Sequence, residues 1–354
     1  MSRRLPDPRA IVLPVLLGLA LALVAGHAAA ADPGPLVGVS WAYFQEERWK
    51  TDQAALESEL ARRGARIASS DAQGSSERQL ADVETLIARG VDVLVLVAHD
   101  ADAIGPAVAL ARAERIPVVA YDRLIEAPGV FYLSFDNREV GRIQARAILA
   151  ARPRGDYVFV KGAPTDPNAH LVHAGQRDVL GPAISSGEIR VVADQFVEGW
   201  LPEQAQRIME QILTATGNRV DAVVASNDGM AGGVVAALAA QGLVGIPVSG
   251  QDGDRAALAR VARGAQTVSV WKDARRLGRE AARVALALAA GTSPDAVEGA
   301  VRFRRGPEGP EVPAILLEPV AITRENLEVV IDAGWIARDE LCRGVGSDPP
   351  PACR

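Results

Sequence analysis

From residue 36 onward the chain alternates between two hydrophobic periodicities, and it runs through the alternation twice. Short β-branched or apolar runs at 36–41, 65–69, 92–97, 117–121 and 130–135 read as strands. Amphipathic stretches at 51–63, 76–89 and 102–114 read as the helices between them. The pattern then restarts, with strands at 156–161, 189–194, 221–225, 246–250 and 267–271, and helices at 169–180, 202–214 and 229–241. A long Ala-rich helix at 273–290 follows. Strands that alternate with helices form parallel sheets covered on both faces. The fold class this predicts is α/β, with two similar lobes rather than one large sheet. Ser76 and Gln79 suggest a capping box for the second helix, and Gly90 a stop. The Gly- and Arg-rich segment 302–309 reads as an irregular connection, 314–319 and 325–331 as a last strand and helix, and 344–354, with three consecutive prolines, as a disordered tail.

The N-terminus has a different character. Arg3, Arg4 and Arg9 precede an uncharged apolar run at 11–25, and small residues at 27–31 close it. That order is a secretory signal peptide cleaved after Ala30 or Ala31. The run is shorter than the roughly 20 residues that span a bilayer. The formal net charge is −6, and the leader carries three Arg and one Asp, so the chain from Asp32 onward is near −8. An acidic chain without a basic run is a poor partner for nucleic acid. Cys342 and Cys353 are the only cysteines. In an oxidising compartment they pair across a small loop or remain as two thiols, and spacing alone does not choose.

In open parallel sheets, ligands bind beyond the carboxyl ends of the strands. Asp122 and Arg123, Asp166 and Asn168, Asn227, Asp252 and Lys272 each follow a predicted strand. Arg48 and Trp49 lie just beyond the first strand, and Trp200 lies in the loop after 189–194. Asp and Asn are also ordinary helix caps at such junctions, but Arg48, Trp49, Arg123, Trp200 and Lys272 are not. Asp accepts from hydroxyls, Arg and Lys donate, Asn does both, and an indole covers the apolar face of a pyranose. The set therefore has the chemistry of monosaccharide recognition.

Other chemistries are poorly supported. The phosphate-binding G-x-x-x-x-G-K-[ST] loop, a G-x-G-x-x-G first turn and the G-x-S-x-G elbow are missing from the sequence. His170 and His173 share a predicted helix without a third ligand, His99 stands alone, and Asp252 with Asp254 lacks the rest of a calcium loop. No cofactor or metal is expected. Asp166 and Asp252 leave open a glycosidase acid and base. A sugar-responsive DNA regulator needs a helix-turn-helix where this chain has its leader.

Seven segments carry a family resemblance: EERWK (46–50), AYDRLI (120–125), YLSFDNREVG (132–141), DQFVEGWLPE (194–203), DAVVASNDGMAGG (221–233), SGQDGD (249–254) and TVSVWK (267–272). Through them the chain resembles the periplasmic sugar-binding proteins that feed ABC importers, in their xylose-type branch, over nearly its whole length. The resemblance implies the type I periplasmic binding protein fold, with a ligand cleft between two lobes joined by three crossovers near Asn137, 272–275 and 302–309. The implied domains are a leader at 1–31, a first lobe at 32–136 plus 274–303, a second lobe at 137–273 plus 304–342, and a tail at 343–354. Arg48, Trp49, Asp122, Arg123, Asp166, Asn168, Trp200, Asn227, Asp252 and Lys272 match the family's ligand contacts, with Trp49 and Trp200 as opposed stacking faces. The implied partners are a monosaccharide, D-xylose foremost, and an ABC permease in the inner membrane. The same sugar site also serves sensor kinases and chemoreceptors. The protein is expected to be a periplasmic monomer without catalytic activity. Pro167, His170 and Trp271 depart from the family pattern beside the matched positions, and the two-Cys tail lies outside it.

Overall fold

A computed structural model describes residues 34–306 and 309–354. The leader at 1–31 lies outside the described residues. The first run of elements is β1 (Leu36–Trp41), α1 (Arg48–Arg62), β2 (Arg66–Asp71), α2 (Ser76–Ala88), β3 (Val93–Leu96), α3 (Gly105–Ala113), β4 (Val118–Tyr121) and β5 (Val130–Phe135). The second run is α4 (Asn137–Ala151), β6 (Gly155–Lys161), α5 (Pro167–Ser185), β7 (Ile189–Phe196), α6 (Pro202–Thr216), β8 (Ala222–Ala225), α7 (Asp228–Ala240), β9 (Ser249–Asp252), α8 (Arg255–Ala262) and β10 (Val268–Trp271). The chain ends with α9 (Ala274–Ala289), β11 (Val301–Phe303), β12 (Val312–Leu317), β13 (Val320–Ile322), α10 (Glu328–Asp332) and α11 (Arg338–Leu341).

The first lobe is one seven-stranded sheet in the order β11-β12-β5-β4-β3-β1-β2. The pleat sends alternate residues to opposite faces. Val93 and Val95 pack with α1 and α9 on one face, through Leu56, Leu60 and Leu277. Leu94 and Leu96 pack with α2 and α3 on the other, through Val83, Leu86 and Ala107. The second lobe carries two three-stranded sheets, β7-β6-β8 and β13-β10-β9, joined by a single parallel bridge between Val223 and Val248. Tyr157 and Phe159 face one core while Val158 and Val160 face the other. Parallel strands covered on both faces are the architecture the alternation predicts. Among the described residues no helix is long and apolar enough to cross a membrane.

Three expectations need correction. The strand β12 (Val312–Leu317) belongs to the first lobe, because it pairs in parallel with β5, Ala314 beside Tyr132, and β11 joins it as an antiparallel edge. The third crossover therefore lies between Leu317 and Val320, and β13 enters the second lobe antiparallel to β10. The second helix is capped by Ser75, whose hydroxyl accepts from the Arg78 amide. Gln79 instead points inward, where Nε2 donates to the Val97 carbonyl and Oε1 accepts from the His99 amide. The tail is folded. Cys342 and Cys353 form a disulfide, and Ala352 is buried in a core with Leu258, Leu327 and Leu341. Three prolines stiffen a segment that the cross-link returns to the lobe.

Candidate functional site

The carboxyl ends of the two lobes' strands face each other across the crossovers. All ten residues singled out in the sequence line one small cavity there, together with Glu46 and Gln251. Six described residues other than glycine have positive φ, and three of them, Asp122 (60°), Trp200 (59°) and Asp252 (100°), are in this cavity. Backbone held in a sparsely populated region collects where side chains must be aimed at a site.

On the first-lobe side, Arg48 opens α1 and is buried among three carboxylates. Its Nε lies 3.1 Å from Asp52, Nη2 2.8 Å from Asp122 and Nη1 3.2 Å from Asp252, the last contact reaching across to the other lobe. Burial opposes its charge, but Asp122, Asp52 and Asp252 outweigh burial and hold the guanidinium firmly protonated. Burial likewise opposes the Asp122 carboxylate, and Arg48 and Lys272 overcome it, holding Asp122 well below the usual carboxylate range. Lys272 Nζ stands 3.2 Å from Asp122 and 3.8 Å from Asp252. Burial pushes the Asp52 carboxyl up to about 6, against the pull of Arg48 and a hydrogen bond from the Tyr121 hydroxyl. Arg123 donates from Nη1 to the Ala98 carbonyl (3.0 Å) and from Nη2 to the Tyr43 hydroxyl. Its Nε pairs with Asp166 of the second lobe at 3.0 Å. The Arg48 guanidinium lies 4.3 Å from the centre of the Trp49 ring.

On the second-lobe side the polar groups stand mostly at helix starts. Asp166 caps α5 by accepting from the Asn168 amide at 2.9 Å. Asn227 caps α7 by accepting from the Met230 amide at 2.9 Å. Asn168 donates to Asp122 Oδ1 at 3.1 Å and accepts from Asn137 at 2.9 Å, so an amide chain crosses between the lobes. Trp200 donates its indole N–H to Asp166 at 3.2 Å. Its ring lies directly over Gly162, where a Cβ would overlap it. These contacts close the lobes onto each other around the cavity.

Glu46 and Gln251 are the lining residues that sequence reasoning missed. Glu46 accepts from the Trp49 indole and, at 3.3 Å, from the Asn227 amide. Its position two residues ahead of Arg48 was the available signal. Gln251 directly follows the expected strand at 246–250 and was passed over in favour of its neighbour Asp252; β9 runs from Ser249 to Asp252. Its buried Oε1 has no hydrogen-bond partner, which leaves an acceptor at the cavity wall. His99, His170 and His173 lie outside the lining. His170 Nε2 sits 2.9 Å from the Pro164 carbonyl, and His173 contacts Gln176 and Asp194. Among the described residues no group of three His, Cys, Asp or Glu is placed to hold a metal ion.

Two β/α lobes, joined by three crossovers and shut over a small polar cavity with two indoles in its wall, define a cleft-type ligand-binding protein. The chain belongs to the family described as periplasmic binding protein domain, whose sequence model matches residues 37–293. It is 41% identical over 330 residues to the D-xylose-binding periplasmic protein of Escherichia coli, covering 92% of this chain and 98% of that one. It is 40% identical to the D-xylose-binding periplasmic protein of Haemophilus influenzae, with the same coverage. A crystal structure of an ABC transporter solute-binding protein from Clostridium phytofermentans with bound β-D-glucose is 32% identical, with a TM-score of 0.77, over 86% of this chain and 99% of that one. The fold is that of type I periplasmic binding proteins, and the chain belongs among binding proteins rather than enzymes.

Proposed function

We propose that this protein captures a monosaccharide, D-xylose foremost, in the periplasm, and delivers it to an ABC permease in the inner membrane. The observation that carries this reading is the composition of the cavity: twelve polar, charged or indole side chains, drawn from both lobes, around one small volume. The leader at 1–31 is the export signal in this reading, and the protein works as a monomer.

The ligand contacts proposed are Arg48, Trp49, Asp122, Arg123, Asp166, Asn168, Trp200, Asn227, Asp252 and Lys272. A xylopyranose with every hydroxyl equatorial presents two apolar faces to Trp49 and Trp200 and a polar rim to the remaining eight. Residues from both lobes touch the sugar only when the cleft is shut, so binding favours the closed form, which the permease reads. An axial hydroxyl, as in arabinose or ribose, leaves a buried charged group unpartnered, at a cost of about 1–3 kcal/mol. Glucose keeps the equatorial pattern and adds a hydroxymethyl group, so its rejection is steric. The names of the two xylose-binding relatives support the choice of sugar. Calorimetric titration of the mature protein with xylose, glucose, ribose and arabinose tests it. Xylose is expected to bind at about −8 kcal/mol or better, micromolar or tighter. Preference for any of the other three by about tenfold, roughly 1.4 kcal/mol, overturns the choice of xylose.

A further inference from the structure

Glu46 stands apart from the residues that the sugar-binding reading uses. It lines the small polar cavity and also a second, outer groove that runs between the lobes past Gly199, Leu201, Pro202 and Gly229. Trp200 is the other residue common to both, and its ring is locked over Gly162 and tied to Asp166. The carboxyl of Glu46 therefore closes what the indole leaves open.

Its orientation is imposed by its neighbours. The Trp49 indole nitrogen is a donor only, so it needs an acceptor in front of it. The Asn227 side-chain oxygen is committed to the α7 cap, which turns its NH₂ toward Glu46. The two Glu46 oxygens answer these two donors, one on each lobe, so the partition is complete only when the lobes are shut. Burial is the main influence on this carboxyl and pushes it up to about 7; Asp252 adds to the rise, while Arg123, Arg48 and the Trp49 hydrogen bond oppose it.

We infer that Glu46 is a specificity-determining residue that sets the size limit of the bound sugar, walling the ring cavity off from the outer groove. The inference rests on the monosaccharide reading above. Shortening Glu46 joins the two spaces and leaves the Trp49 and Asn227 N–H groups facing the gap. A hydroxyl on a ring substituent, such as the hydroxymethyl of a hexopyranose, then takes the place of the carboxylate as their acceptor.

The test is calorimetric titration of the mature protein and of Glu46→Ala, Glu46→Ser and Glu46→Gln with xylose and glucose, with thermal melts to establish folding. The affinity ratio of xylose to glucose is expected to fall about tenfold or more in the Ala and Ser variants. It should fall clearly less in the Gln variant, which keeps the side-chain volume and one of the two acceptor oxygens but turns an NH₂ toward the other donor. A ratio changed by less than threefold in Ala and Ser overturns the inference, and so does a fall in Gln as large as in Ala, which would assign discrimination to the charge or the second acceptor rather than to the volume that walls off the cavity. Equal affinity of the unmodified protein for xylose and glucose overturns it without any variant. Failure of the unmodified protein to bind either sugar instead overturns the reading beneath it.

Discussion

The two lobes share a β/α plan but build their halves of the cavity differently. The first-lobe half is braced from behind within its own lobe: Arg48 on Asp52 and Asp122, Tyr121 on Asp52, Arg123 on Tyr43 and the Ala98 carbonyl. The second-lobe half is carried on helix starts, with Asp166 and Asn227 as caps, and on the close approach of Trp200 to Gly162. The sheets differ in the same sense, one continuous seven-stranded sheet against two three-stranded pieces meeting at one bridge. The lesson is that charge is held rigidly on one side of the cleft, while local backbone geometry aims the groups on the other. A disturbance of the first half should therefore be felt in the stability of the whole lobe, and a disturbance of the second chiefly in the cavity.

The largest expected effect is that of Arg48→Met. It leaves Asp52 and Asp122 buried without their guanidinium and removes the reach to Asp252. Removing one partner of a buried ion pair costs about 3–5 kcal/mol. Denaturant unfolding of the ligand-free protein should show that loss, together with loss of sugar binding. Lost binding with unchanged stability would break the comparison at its first term.

Gly162→Ala should have an intermediate effect. The added methyl displaces the Trp200 ring, and overpacking of this kind costs about 1–3 kcal/mol. Sugar affinity is expected to fall, because the indole moves off its wall of the cavity, while the first-lobe cluster keeps its contacts. Calorimetry with a parallel melt reads both quantities, and wild-type affinity in this variant would show that the second-lobe half does not depend on that approach.

The smallest effect separates two jobs of one residue. Asp166→Asn and Asp166→Ala both remove the charge that pairs with Arg123, but only Asn can still cap α5. Asp-to-Ala at a cap typically costs about 1 kcal/mol. The Ala variant should be less stable than the Asn variant by about that amount, with similar loss of affinity in both. Equal stabilities in denaturant titration would mean that Asp166 acts by charge alone.

The sequence made the layer architecture legible. Val93 to Val97 and Tyr157 to Val160 read as continuous apolar runs because parallel strands bury both faces, and the helices between them carry their own apolar stripes. The polar residues at the strand ends were legible for a related reason: Arg, Lys and Trp have no local role at a βα junction, so their presence calls for a ligand or a distant partner. Glu46 was not legible, because a Glu before a helix is an ordinary surface residue until Trp49 and Asn227 are brought against it. Gln251 was not legible either, because an uncharged amide beside Asp252 is ordinary at a strand end until its Oε1 is found buried without a partner at the cavity wall.

By itself the sequence determined most of the elements, their order and the residue types gathered at the strand ends, since hydrophobic period and side-chain chemistry are properties of neighbours in the chain. Only the tertiary structure decided which sheet received the strand Val312–Leu317, that the proline-rich tail folds back through Cys342 and Cys353, and that one carboxyl, Glu46, stands between two cavities. Each of those outcomes depends on which surfaces meet across long separations in sequence, such as Ala314 beside Tyr132 and Arg48 beside Asp252, and no local pattern encodes a partner that far away.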